Sequence, residues 1–387
     1  MKKVLLSTSA LALVAAYTSN ASAAEWEVRV GGYSTQQIGF ATSDVDGLVD
    51  EDFDGVDTVS DTEIFFLPSI TLDNGIRFGA NVQLEGNSGG DQIDESFVFI
   101  SGSFGRILIG SENSAGYIMK IGAPSVSVNG HNSGTLTAFI PFSGNAGSAA
   151  SGGPVATGDD TFRGTLYSTN LENRRNNDVG RITYFTPRLV GIQVGFSYAR
   201  DANEDNDIQV DENNAFGNFI DIGANYVQSF GPIDVAVYGR WGITASSPDG
   251  LDNSQVYGVG GTLGFAGFTV GASFAEQNNA GTDDGQSFDV GVAYETGPWG
   301  FSFSYLHGSN VDDENAAFGL DEEVDIFVAA VNYSLAQGVD LNVFGAYVDF
   351  EEDAGDGTGF DLEGDFVATS GNDVDGFVIG TGIALSF

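Results

Sequence analysis

Apolar and polar residues alternate along most of this chain with a period of two. In Gly75–Glu85, Ile76, Phe78, Ala80, Val82 and Leu84 fall on one side, and Arg77, Gly79, Asn81, Gln83 and Glu85 on the other. That period marks a strand with one apolar face and one polar face. Sixteen such segments, most of about 10–14 residues, run from 26–41 to 372–387. Their connections alternate in length. Short ones fall at Asp73-Asn74, Ser103-Phe104, Arg188-Leu189, Phe230-Gly231, Ala266, Gly297-Pro298 and Ala336-Gln337. Long ones fall at 42–60, 113–177, 202–215, 245–252, 278–285, 309–321 and 351–371, with a shorter one near 87–91. A tilted strand crosses a bilayer in about 9–11 residues. Bacterial single-chain barrels have an even strand number, short turns at one end and long loops at the other. The pattern therefore predicts an all-β, 16-stranded antiparallel transmembrane β-barrel. Its apolar side chains face lipid and its polar ones a wet lumen.

The last strand carries apolar groups at 377, 379, 383, 385 and 387. Pairing it with the first strand would leave no unpaired edge in the membrane. Tyr33, Phe40, Tyr184, Tyr198, Trp241, Trp299 and Tyr305 lie near strand ends, where interfacial aromatic belts belong.

Residues 1–23 read as a signal peptide: basic Lys2-Lys3, an apolar run to about Tyr17, and an Ala21-Ser22-Ala23 cleavage site. Residues 24–387 then form the barrel domain. No cysteine is present, which removes disulfides, thiol nucleophiles and thiolate metal sites. The chain holds 55 Gly in 387 residues, about twice the usual share, and 12% aromatics, which fits many strands and tight turns. The net charge of −41 excludes nucleic acid as a partner and predicts attraction of cations. Its two histidines, His131 and His307, offer no Ser/His/acid set, so an enzyme is not expected.

The stretch 113–177 breaks the alternation. It is nearly neutral, with Lys120, Arg163, Arg174 and Arg175 against Asp159, Asp160 and Glu172. It embeds apolar groups such as Tyr117-Ile118-Met119, Leu136 and Phe139-Ile140-Pro141-Phe142. Unstructured connections this long are usually functional, and this composition predicts a segment packed against a wall. The other long connections are acidic. Six of them hold 27 of the chain's 54 acids and no Lys or Arg, a rim that attracts cations, Ca²⁺ among them.

Three passages resemble Gram-negative general porins, most like alphaproteobacterial ones. They are 61–75 (DTEIFFLPSITLDNG), 180–188 with 191–198 (GRITYFTPR, then GIQVGFSY), and the terminal Phe387. The resemblance implies a 16-stranded homotrimer in outer-membrane lipid and lipopolysaccharide that passes small hydrophilic solutes and ions passively. It also implies that the third long loop, here 113–177, folds into the lumen and narrows it.

Strand parity puts Arg29, Arg77, Arg106, Arg181 and Arg240 on polar faces. A charge facing lipid costs about 2–4 kcal/mol at mid-membrane, so these five are expected to line the lumen as a basic strip. In resembling porins such a strip faces acids of the inserted loop. Here Asp159, Asp160 and Glu172 are the candidate acids, with Lys120 and Arg163 as further lining charges. The acid-free middle of the loop, 135–150, leaves a less charged, partly apolar constriction as an equal alternative. Asp50, Asp52, Asp54, the Val56 carbonyl and Asp61 have the spacing of an EF-hand Ca²⁺ loop, set against a plain solvated acidic loop. No cofactor is required by the channel reading. A substrate-specific channel on the same fold, and an acidic calcium-binding surface adhesin, are the alternative functions.

Overall fold

The computed structural model describes residues 25–45, 53–87, 92–141, 167–202, 211, 215–279, 284–310, 322–352, 359–360, 366–367 and 373–387. The strands are β1 (Glu27–Val45), β2 (Gly55–Thr71), β3 (Arg77–Glu85), β4 (Ile93–Gly102), β5 (Gly105–Ser111), β6 (Gly180–Phe185), β7 (Ile192–Ala199) and β8 (Gly217–Phe230). They continue as β9 (Ile233–Ser246), β10 (Gln255–Phe265), β11 (Phe268–Asn278), β12 (Gly285–Thr296), β13 (Trp299–Asn310), β14 (Glu322–Ala336), β15 (Val339–Glu352) and β16 (Val374–Ser386). All sixteen form one closed antiparallel barrel, each beside its sequence neighbour. A separate two-residue ribbon, Gly359–Phe360 with Phe366–Val367, lies in the last long connection.

Closure joins β1 to β16 with Gly39 opposite Gly380. The terminal residue completes the seam: Gly32 N donates to Phe387 O at 3.0 Å, and Phe387 N donates to Gly32 O at 3.1 Å. Closure matters because lipid supplies no partner for an edge N–H or C=O.

Most strands present one exposed apolar face. On β1 it carries Val28, Val30, Ile38 and Phe40, and on β13 Trp299, Phe301 and Phe303. A band of this extent around a molecule in water would be an aggregation surface, whereas lipid takes it without penalty. Among the described residues no helix is long and apolar enough to cross a membrane, which says nothing against crossing by strands.

Three expectations are corrected. The strands rise further at the long-loop end: β1 continues to Val45 and β2 starts at Gly55, well inside the expected loop 42–60. Above the hydrocarbon the ladder needs no apolar face, so polar residues such as Ser43 and Asp57 continue it in register. Tyr33 is no belt residue. It faces inward, and its hydroxyl donates to Glu63 at 2.7 Å and Asp61 at 3.1 Å.

The third correction concerns the lumen. The inward faces of β13 to β16 share an apolar patch, with Leu306, Val324, Ile326, Val328, Phe344, Val348, Phe350 and Val378 all buried. This part of the interior is a dry core rather than a wet wall.

Candidate functional site

The stretch after β5 has little secondary structure of its own, so its buried backbone groups need partners elsewhere. The barrel wall supplies them. A single turn, Ala115–Ile118, is capped by the Ser114 hydroxyl, which accepts from Tyr117 N at 3.3 Å. Ala115 N donates to Ser197 Oγ of β7 at 2.7 Å, and Gly116 N to Asp221 Oδ1 of β8 at 2.5 Å. Ala123 N donates to Asp289 Oδ1 of β12 at 2.8 Å, and Val126 N to Ser302 Oγ of β13 at 3.0 Å. Asn342 of β15 donates from Nδ2 to Val126 O at 2.8 Å, and Asn129 Nδ2 donates to Gln37 Oε1 of β1 at 2.8 Å.

Residues 115–129 thus touch the wall from β7 around to β1. The segment crosses ten strand-to-strand steps in the 14 residues from Ala115 to Asn129. An extended residue spans about 3.3 Å and neighbouring strands lie about 4.8 Å apart, so an extended path running round the wall covers the distance. Contacts so far around a closed barrel are reachable only from within. The segment is a collar lying on the inner wall.

The collar ends in an apolar lobe. The 3₁₀ turn Gly134–Ala138 and the residues after it put Leu136, Phe139 and Ile140 into the dry core of β13 to β16. Complete burial of each such side chain contributes about 1.5–3 kcal/mol. The return limb starts at Tyr167 and retraces the wall. Ser287 Oγ donates to Ser168 O at 2.7 Å, Arg174 N donates to Gln277 Oε1 at 2.8 Å, and Ser254 Oγ donates to Asn173 Oδ1 at 2.7 Å.

Two charged knots tie both limbs down. Asp289 takes Ala123 N and Ser273 Oγ, and also the Thr169 hydroxyl of the return limb. Lys120 Nζ lies 3.4 Å and His131 Nε2 3.6 Å from its Oδ2. Burial pushes the Lys120 ammonium down from its ordinary range, and the Asp289 charge opposes that shift. In the second knot Arg240 donates to Asp221, to Leu171 O and to Ser114 Oγ, and Glu172 Oε2 lies 3.5 Å away. The Glu172 carboxylate also accepts Ser114 N at 2.6 Å.

All five lumen arginines point inward, as their parity predicts, yet they do not form one strip. Arg240 and Arg181 are buried, and Arg181 donates to the Asn176 carbonyl of the return limb. Their charges hold the collar. Arg29, Arg77 and Arg106 stand by contrast near the short-turn ends of β1, β3 and β5. Arg29 Nε is 3.6 Å from Glu27, while Arg77 and Arg106 lie 5.5 and 4.9 Å from the Phe99 ring centroid. Among the described residues neither Arg77 nor Arg106 makes an ion pair. Among the described strands Arg77, which donates to Ser69 Oγ at 2.9 Å, and Arg106, on which the Glu112 carboxylate acts, are the arginines without an ion pair or a bond to the collar.

Asp159, Asp160 and Arg163 lie outside the described residues, as do Asp50 and Asp52. The remaining EF-hand candidates do not converge. Val56 and Asp61 lie in β2, where five residues of strand separate them by about 17 Å. An EF-hand needs its seventh and twelfth ligands on one ion. Asp54 accepts Ser43 N at 2.9 Å, and Asp61 serves the Tyr33 hydroxyl. Carboxylates converge elsewhere, at Glu63, Glu85 and Asp94, with one oxygen of each within 4.8 Å of the others.

Residues 9–354 match the Gram-negative porin family. The chain belongs to the Gram-negative porins. It is an outer-membrane β-barrel channel of passive type. Solved porins and channels share the fold. An anion-selective porin from Comamonas acidovorans is 17% identical, with a TM-score of 0.55 over 94% of this chain and 100% of that one. The trimer form of OmpT, an outer membrane protein of Vibrio cholerae, is 13% identical, with a TM-score of 0.55 over 94% and 99%. The outer membrane channel DcaP of Acinetobacter baumannii is 13% identical, with a TM-score of 0.57 over 97% and 100%. No curated protein matches the chain. Neither a secreted adhesin nor an enzyme is favoured by this membership. Within the porin, the collar occupies the position of the third long loop, as the resemblance implied.

Proposed function

We propose that this porin is a general diffusion channel for small hydrophilic solutes, with a modest preference for cations and no catalytic activity. The observation that carries the reading is the collar. Polar wall side chains hold it flat against the inner face, which narrows the bore and keeps a passage open. Width and lining charge then select what passes. The acidic long connections concentrate cations at the external mouth. Arg77 and Arg106 oppose that preference within the bore, so the net selectivity is weak. Ca²⁺ gathers at the acidic rim as a diffuse counterion and requires no formed loop. Single-channel recording in planar bilayers, with the reversal potential in a salt gradient, tests the reading. Open steps with a cation-side reversal potential are expected, and a chain that conducts nothing rejects it.

A homotrimer fits the outer surface. Ser34 and Thr62 bond through their hydroxyls at 2.9 Å, and Ser60 Oγ donates to Gln36 Oε1 at 2.6 Å. They share the outward register with Val30, Ile38 and Phe40. Such a polar seam is better covered by another copy than by acyl chains. Ultracentrifugation in detergent should find three copies, and a monomer would reject the assembly.

A further inference from the structure

We propose that inward glycines of β8, β10, β11 and β12 form the bed of the collar, and that their missing side chains set the bore. This deepens the channel reading and rests on it for its conductance arm alone. Glycine weakens a strand by about 0.5–1 kcal/mol relative to alanine, and within a strand it often marks the close approach of another backbone. Each of these four sits in the inward register of its strand, directly beneath the collar.

A Cβ on Gly260 would run into the Ile121 carbonyl oxygen. One on Gly271 would stand 2.8 Å from Gly122 O, and one on Gly291 3.1 Å from Pro124 O. One on Gly223 would stand 2.9 Å from the Gly116 Cα. Each of these four collar atoms is backbone, which no rotamer change can move aside; the Thr262 Cγ2 that also stands 2.7 Å from a Cβ on Gly271 belongs to the wall. Gly271 and Gly291 also face each other across β11 and β12, so the bed is continuous there. A methyl group at any of these points lifts the collar off the wall, and the only space available is the bore. The collar's height above the wall, and with it the free width, is thus fixed by residues in four strands rather than by the collar's own side chains.

The test is Gly260→Ala beside Gly239→Ala. Gly239 faces outward, and a Cβ there would meet nothing nearer than 3.8 Å. The chain has no cysteine, so Ser125→Cys on the collar gives one reporter thiol in each background. Gly260→Ala should lower single-channel conductance and change the maleimide labelling rate of that thiol several-fold. Gly239→Ala should change neither. Conductance and labelling both unchanged in folded, heat-modifiable Gly260→Ala protein would overturn the proposal. If that variant does not fold, Gly291→Ala, whose clash is milder, takes its place, and the same two measurements decide in the same way. If the parent porin itself conducts nothing, the channel reading fails, while the labelling rates still decide whether the glycines seat the collar.

Discussion

The Asp289 carboxylate of β12 accepts the Ala123 N–H at 2.8 Å, joining two residues 166 positions apart in sequence. The same carboxylate meets Lys120 and Thr169, so one wall residue fixes both the outgoing and the returning limb of the collar. Removing one partner of a buried ion pair costs about 3–5 kcal/mol, because the other charge stays buried without it. Asp289→Ala should therefore release the collar near Ala123 while the barrel ladders hold. Bilayer recordings are expected to show larger and noisier openings. Asp289→Asn keeps an acceptor for Ala123 N and loses only the charge, so its noise should fall between the two. Recordings of Asp289→Ala that match the parent in both size and noise would remove Asp289 from this role.

Leu136 is fully buried in the apolar lobe, among side chains of β13 to β16. Truncating a buried leucine costs about 2–5 kcal/mol, depending on how far the surroundings collapse. Leu136→Ala should lower the temperature at which the folded band converts to the unfolded band in detergent gels. Leu263→Ala, on the lipid face of β10, is the control. Its side chain is half exposed and no cavity results, so its conversion temperature should stay near the parent value.

How much of this could be read from the sequence depended on which face of a strand carried the information. All sixteen strands were legible because the outward apolar face repeats at every second residue. The inward pointing of Arg77, Arg106 and Arg240 was legible for the same reason. The dry core was not. In β14 the inward Val324, Ile326 and Val328 interleave with an outward Phe327 and Val331, and a run apolar on both faces carries no period. Asp289 was half legible. Between outward Phe288 and Val290 it must face the lumen, but parity cannot name a partner on a distant loop. The EF-hand spacing misled because spacing assumes a loop, and β2 had already claimed Val56 to Asp61 for its ladder with β1. Tyr33 misled because proximity to a strand end says nothing of the face.

Glu112 follows β5 directly and is buried beside Glu95 and Arg181. Burial pushes its carboxyl up from the ordinary value of 4.5, and hydrogen bonding to Glu95 and from Asn113 N opposes the shift. A carboxyl whose pKa is higher in the folded state binds more protons folded than unfolded. Its contribution to stability therefore falls as pH rises from about 4.5 through the raised value. Glu112→Gln should remove that decline. The variant should resist urea better than the parent at pH 7 to 8 and equally at pH 4. Urea curves at the two pH values check this, and a variant weaker than the parent at pH 8 would show that the charged form is the stabilising one.

Arg77 and Arg106 lie against the Phe99 ring, and among the described residues neither makes an ion pair, although the Glu112 carboxylate acts on Arg106. They stand on β3 and β5, whereas the collar's hydrogen bonds run from β7 around to β1. On the proposed channel reading a permeating anion is attracted by them and a permeating cation repelled. Replacing both with alanine removes two positive charges from the bore and should raise the cation-to-anion permeability ratio. The screening length is about 10 Å at 0.1 M salt and about 3 Å at 1 M, so the change should be large in the dilute gradient and small in the concentrated one. Phe99→Ala separates charge from packing. It removes the ring that both guanidiniums lie over and leaves both charges, so its reversal potential should stay close to the parent value while its folded barrel becomes less stable. A double alanine variant with the parent's reversal potential at 0.1 M would take the two arginines out of the conduction path. The acidic rim would then remain as the source of selectivity.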